Sequence, residues 1–136
     1  MSPSPQAQNI IPDHRAAGLR SLIADGWNAE TSSAEDWDRT RPEAGQCAVT
    51  ALVVQDVLGG ELRRAVVNGE SHYWNIAADG TVIDLTRSQF STPLTIEDEQ
   101  PRERDYVLSF PVTEHRYKLL RWRIARALEA YELVSA

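Results

Sequence analysis

The chain has a single cysteine among its 136 residues, so no disulfide can form within it and the fold does not call for an oxidising compartment. It also has a single lysine, Lys118; arginine supplies nearly all of the positive charge. Acidic residues outnumber basic ones by 20 to 14, and the resulting net charge of −6 argues against nucleic acid as the main partner. No apolar run is long enough to span a bilayer, since the most apolar stretch, residues 45–58, is interrupted by Gln55 and Asp56. The opening MSPSPQAQNIIPDHR lacks the basic and apolar segments of a secretory signal. One cysteine and three scattered histidines show no metal-ligand spacing. Gly59-Gly60 follows an apolar helix rather than opening one, so it is not a phosphate-cradling loop. The expectation is a cytoplasmic protein with no cofactor, no nucleic-acid partner and no membrane contact.

What is present reads as one α+β domain. Hydrophobic residues make up 42% and charged residues 25%, which excludes wholesale disorder. Residues 1–11 are polar and Pro-Ser rich and read as a flexible tail; residues 12–136 read as the domain. Asp13 is placed to cap a helix carrying Leu19, Leu22 and Ile23 and ending near Gly26, and Ser33 to cap one short helical turn. From Gly45 to Leu58 apolar residues cover nearly the whole circumference of a helix, the mark of a buried one. Its valines would also suit a strand, but the length and the Gly59-Gly60 stop favour helix.

The period then changes. Residues 62–67, 71–77 and 81–86 predict three antiparallel strands with turns at Asn68-Gly69 and Asp79-Gly80. Thr86-Arg87-Ser88-Gln89 resembles a capping box opening a short helix, residues 91–105 a polar loop, and residues 106–112 a further strand. Thr113 then caps a long final helix with Tyr117, Leu120, Ile124, Ala127, Leu128 and Tyr131 along one stripe.

Cys47 stands at the start of the apolar helix, where free backbone N–H groups and the macrodipole favour a thiolate. A nucleophilic cysteine needs a base, and usually a third group to orient it. His14 lies near the tail and His115 in the first turn of the final helix; His72 is on a predicted strand. A three-residue loop at Asp79-Gly80 would put His72, Trp74, Asp84 and Thr86 on one face, with Asp84 diagonal to His72. A two-residue loop would put Asp84 on the opposite face, leaving Asn75 as the runner-up orienter. Gln46 and the Cys47 N–H are candidates for binding an oxyanion. Trp27, Trp37 and Trp74 are candidates for core or for the wall of a substrate groove.

Several segments together resemble the YunG-like family of small bacterial proteins: GQCAVTALVVQDVLGGE, SHYWN, DG and IDLTRSQF, with Trp27, Thr31 and Trp37 ahead of them. The resemblance implies a compact relative of the papain-like and transglutaminase-like cysteine fold, with N-terminal helices, a Cys-bearing helix packed on an antiparallel sheet and a long C-terminal helix. It implies Cys47 as nucleophile, His72 as general base and Asp84 as orienting acid, in the chain order of transglutaminases and arylamine N-acetyltransferases. The expected activity is cysteine-dependent acyl transfer on a small-molecule or peptide amide or thioester, either hydrolysis (amidase, peptidase or deamidase) or a transglutaminase-like transfer. Two alternatives stand beside it. One is a non-catalytic binding protein whose partner meets the arginine-rich final helix (Arg116, Arg121, Arg123 and Arg126); the other is a thiol redox sensor.

Overall fold

The structure is a computed structural model and describes residues 14–90 and 93–135. The expected tail, residues 1–11, and the expected cap Asp13 lie outside the described residues. Helix α1 spans His14–Ala24, α2 Cys47–Leu58, α3 Arg104–Leu108 and α4 Pro111–Ser135. Strands β1 (Glu61–Val67), β2 (Glu70–Ile76), β3 (Val82–Ile83) and β4 (Ile96–Arg102) form one antiparallel sheet in the order β3-β2-β1-β4.

Helix α2 is the centre of the packing. Val49, Ala51, Leu52, Val53 and Val54 are all buried. One side meets β2 and the other the final helix. There Leu120, Ile124 and Leu128 join Leu19, Ile23 and Trp27 of the N-terminal region in the largest core cluster. Truncating a fully buried leucine such as Leu120 to alanine would cost about 2–5 kcal/mol. The expected stripe of α4 is buried at Leu120, Ile124 and Leu128 and half-buried at Tyr117 and Tyr131, while Ala127 is exposed.

Turn chemistry sets the sheet register. Asn68 and Gly69 both have positive φ, 49° and 82°, as a two-residue type I′ hairpin requires, so Val67 pairs with Glu70 and Ala65 with His72. At the next turn the Gly80 N–H donates to the Ala77 carbonyl and the Ala77 N–H to the Thr81 carbonyl. Gly80 sits at φ 88°. This is the three-residue loop; Asn75 pairs with Ile83, which sets Trp74 opposite Asp84. Strand β3 is only two residues long, because the Asp84 side chain turns back to accept the Thr86 N–H and ends the ladder.

Four expectations require correction. Residues 96–102, read as part of an acidic loop, form edge strand β4. It pairs along β1, whose Arg63 lies 3.9 Å from Glu99, so complementary charge on the neighbouring strand overrides low strand propensity. Residues 106–112, read as a strand, divide between α3 and the start of α4. Pro111, with φ already suited to a first helical turn, opens that helix ahead of Thr113. Ser33 starts no helical turn; its hydroxyl donates to the Gly45 carbonyl. Thr86 precedes a 3-10 turn over Arg87–Gln89 but makes no side-chain cap.

Candidate active site

Cys47 is the first residue of α2, and the backbone places it there under constraint. Gly45 adopts φ 70°, a left-handed conformation costly for any residue with a Cβ. A Cβ on Gly45 would also run into the Ser32 hydroxyl and the backbone N–H groups of Ser33 and Ala34. The turn is held from outside by the polar segment that precedes it. The Ser32 hydroxyl donates to the Ala44 carbonyl at 2.6 Å, and the Ser33 N–H to the Gly45 carbonyl at 2.9 Å.

Gln46 belongs to the same clamp. Its side chain is fully buried; Oε1 accepts the Thr31 hydroxyl at 2.8 Å, and Nε2 donates to the Asn28 carbonyl at 3.0 Å. This corrects the oxyanion role expected of Gln46. Its amide is committed to the 28–31 loop and lines neither cleft beside Cys47. The backbone N–H groups at the start of α2 remain, since no side chain caps that helix.

His72 projects from β2, on the sheet face that carries Trp74, Ala65 and Val67. It is 1% exposed. The Trp74 ring stacks against the imidazole at 5.8 Å between centroids, and Phe90 meets it edge-on at 4.8 Å, so the ring is held from two sides. His72 Nε2 and Asp84 Oδ2 are 2.7 Å apart, while Asp84 Oδ1 accepts the Thr86 N–H at 3.3 Å. Asp84 therefore both orients the imidazole and terminates its strand. Asn75, the alternative orienter, is excluded by its position: Nδ2 donates to the Ala51 carbonyl at 2.9 Å, fastening β2 to α2.

The thiol stands beside the imidazole and interacts with it, and its Sγ lies 3.9 Å from the Ser71 carbonyl oxygen. With Nε2 given to Asp84, the ring nitrogen left for the thiol is Nδ1, which is buried and has no formed hydrogen bond of its own. Burial acts most strongly on His72 and disfavours its charged form. The hydrogen bond to Asp84, the interaction with the neighbouring Cys47 and the negative charge of Asp84 outweigh it, and the imidazole is raised from 6.5 to about 9. At neutral pH the His72 imidazole therefore stays protonated.

Two clefts reach Cys47, which is itself 8% exposed. The narrower, about 180 Å³, runs past Ala48, Val49, Tyr73, Thr113 and Arg116. The wider, about 500 Å³, runs past Asp36, Arg41, Glu70 and Gln89. None of the three tryptophans proposed for substrate binding lines either cleft. Trp27 is buried with its indole donating to Thr50, Trp37 donates to the Pro42 carbonyl, and Trp74 backs the imidazole. Trp27 and Trp37 border a separate depression with Arg39 and Arg123. Tyr73, next to His72, is the aromatic wall of the narrower cleft; its neighbour in sequence points to the other sheet face. Arg116, named from sequence only as one of the final-helix arginines, is a further lining residue; its place at the cleft depends on the rotation of α4 against α2, which packing sets. His115 is exposed on α4 and takes no part. Among the described residues no cluster of histidine, cysteine and carboxylate side chains could hold a metal ion, and no helix is long and apolar enough to cross a membrane.

Fold and geometry define a small α+β protein in which a helix-start cysteine, a buried histidine and an aspartate converge. The sequence profile of the YunG protein family matches residues 15–129, and the chain belongs to that family. It is 30% identical over 112 residues to the Uncharacterized protein YunG of Bacillus subtilis (strain 168), covering 82% of this chain and 93% of that relative. No solved structure matches it.

Proposed function

We propose that the protein is a cysteine-dependent acyl-transfer enzyme, a compact counterpart of papain-like and transglutaminase-like enzymes. The observation that carries this reading is the sequence of contacts thiol–imidazole–carboxylate: Cys47 beside His72, and His72 Nε2 at 2.7 Å from Asp84. An imidazolium next to a thiol favours thiolate chemistry. In the first half-reaction the Cys47 sulfur adds to the carbonyl carbon of an amide, ester or thioester. The oxyanion so formed meets the unpaired backbone N–H groups at the start of α2. The carbonyl re-forms as the bond to the leaving group breaks, and the proton held by His72 passes to the departing atom. A thioester on Cys47 remains.

In the second half-reaction water or an amine attacks that thioester and gives its proton to His72 as the thiolate leaves. Asp84 keeps the imidazole in the right orientation throughout. Hydrolysis and transfer share every step but the identity of the acceptor.

The test is acylation by p-nitrophenyl acetate. A burst of p-nitrophenol equal to the enzyme concentration, with an acetyl group on Cys47 by mass spectrometry, is the expected result. A folded protein that releases p-nitrophenol no faster than its Cys47→Ala variant would rule the reading out. A binding role has one observation in its favour, Trp122, which is 77% exposed between Arg121 and Arg123 on α4. It predicts loss of partner capture in Trp122→Ala with no dependence on Cys47.

A further inference from the structure

The two clefts at Cys47 differ in charge. Arg116 is the one charged side chain lining the narrower cleft. It is half-buried, and no hydrogen bond or ion pair ties it to any described residue. Other basic residues of α4 are engaged: Arg121 lies 3.4 Å from Asp56, Arg123 donates to the Gly26 carbonyl at 2.7 Å, and Lys118 lies 3.5 Å from Glu114. Arg116 and the exposed Arg126 are the basic residues of α4 without a partner among the described residues, and of the two only Arg116 lines the cleft. Around it the lining is otherwise neutral, and the uncapped start of α2 adds positive potential from Cys47, Ala48 and Val49.

The wider cleft has the opposite character. Asp36 and Glu70 line it with no partner among the described residues, while Arg41 there donates to the Gln89 carbonyl at 2.8 Å. An anion entering this side would meet two free carboxylates.

Direction follows from the proton. His72 must deliver its proton to the leaving group, so the leaving group lies on the imidazole side of the thiol. Gln89, which lines the wider cleft, immediately precedes Phe90, whose ring edge rests on His72. The leaving group therefore takes the wider cleft, and the acyl portion takes the narrower one at the helix start.

Resting on the reading of Cys47 as nucleophile, we infer that Arg116 binds a carboxylate on the acyl half of the substrate, so that the protein selects acyl donors bearing a second, anionic group. A guanidinium suits this task because it is permanently charged and can donate two parallel hydrogen bonds to one carboxylate.

Two alkylating probes of nearly equal size test it, iodoacetate and iodoacetamide. Each loses iodide to the Cys47 sulfur, and they differ in whether a carboxylate accompanies the reacting carbon. The quantity read is the ratio of their rate constants in the wild type, Arg116→Gln and Arg116→Lys. A half-exposed charge pair worth up to about 1 kcal/mol corresponds to a fall of up to roughly fivefold in the iodoacetate-to-iodoacetamide ratio in Arg116→Gln. Arg116→Lys should recover most of it, and added salt should lower the wild-type ratio. An unchanged ratio in Arg116→Gln, with iodoacetamide still reacting rapidly, would overturn the assignment of Arg116 and leave the nucleophile standing. Equal slowing of both reagents would overturn it too, by showing that Arg116 supports the thiol or the fold rather than an anion. A wild-type thiol no faster than free cysteine toward either reagent would instead remove the nucleophile, and this inference with it.

Discussion

His72 and Asp84 stand diagonally across neighbouring strands, and the 2.7 Å between Nε2 and Oδ2 exists because Gly80 accommodates a left-handed turn between them. A two-residue loop would have moved Asp84 to the other face of the sheet. With Asp84→Asn the hydrogen bond can persist but the negative charge is lost. His72 should then titrate below its wild-type value of about 9, seen by NMR of the imidazole carbon. Acylation by p-nitrophenyl acetate should fall roughly 10²- to 10⁴-fold. An unchanged titration would mean that Asp84 does not govern the imidazole.

The raised His72 value also makes stability depend on pH. Its folded value of about 9 exceeds the ordinary histidine value of 6.5, so the native state holds this proton more tightly than the unfolded chain. The resulting stabilisation is fully present below pH 6.5 and is lost as pH rises through about 9. Urea unfolding across that window should show wild-type stability declining, and His72→Gln should lack that component. Parallel curves for the two proteins would contradict the linkage.

Cys47→Ala should leave the fold intact. The thiol is small, and beyond its interaction with the His72 imidazole its Sγ makes a long contact with the Ser71 carbonyl, so the melting transition should correspond to a loss of about 1 kcal/mol or less. Acylation should disappear entirely. If activity survived this change, the reacting group would lie elsewhere.

Gly45→Ala should do the reverse of a conservative change. It combines φ 70° with a clash against the 32–34 backbone and hydroxyl, costing about 1–3 kcal/mol and displacing the start of α2. Both melting temperature and thiol alkylation should drop together. A stable variant with normal alkylation would show that the turn is not what positions Cys47.

Thr31→Val keeps the shape of Thr31 while removing the hydroxyl that donates to Gln46 Oε1. An acceptor left unsatisfied in a fully buried amide costs about 1–3 kcal/mol. Denaturant midpoints for the wild type and this variant measure it directly, and coincident midpoints would show that the clamp carries no stability.

The placement of Cys47, His72 and Asp84 was legible in the sequence because each position rests on local rules. Helix-start placement picks out Cys47, strand alternation picks out His72, and the Asp79-Gly80 turn decides the face of Asp84. What stayed hidden depends on partners remote in sequence. The acidic run 96–102 becomes a strand by pairing with β1, which offers it a backbone ladder, Arg63 beside Glu99 and an apolar cluster for Ile96. Gln46 looks like an oxyanion donor next to a nucleophile, yet its amide is drawn into a loop eighteen residues earlier, at Asn28. Arg116 is one arginine among several until α4 is rotated into place against α2.

That last contrast bears on how the molecule assembles. His72 and Asp84 are 12 residues apart and Cys47 and Ser71 are 24, so closing these loops costs little chain entropy. Arg116 arrives by another route, on a helix whose anchors reach back to Gly26 across 97 residues. Hydrogen exchange during refolding should therefore find β1 and β2 protected before α4. Cys47, His72 and Asp84 would come together first, and Arg116 would be fitted onto them afterwards.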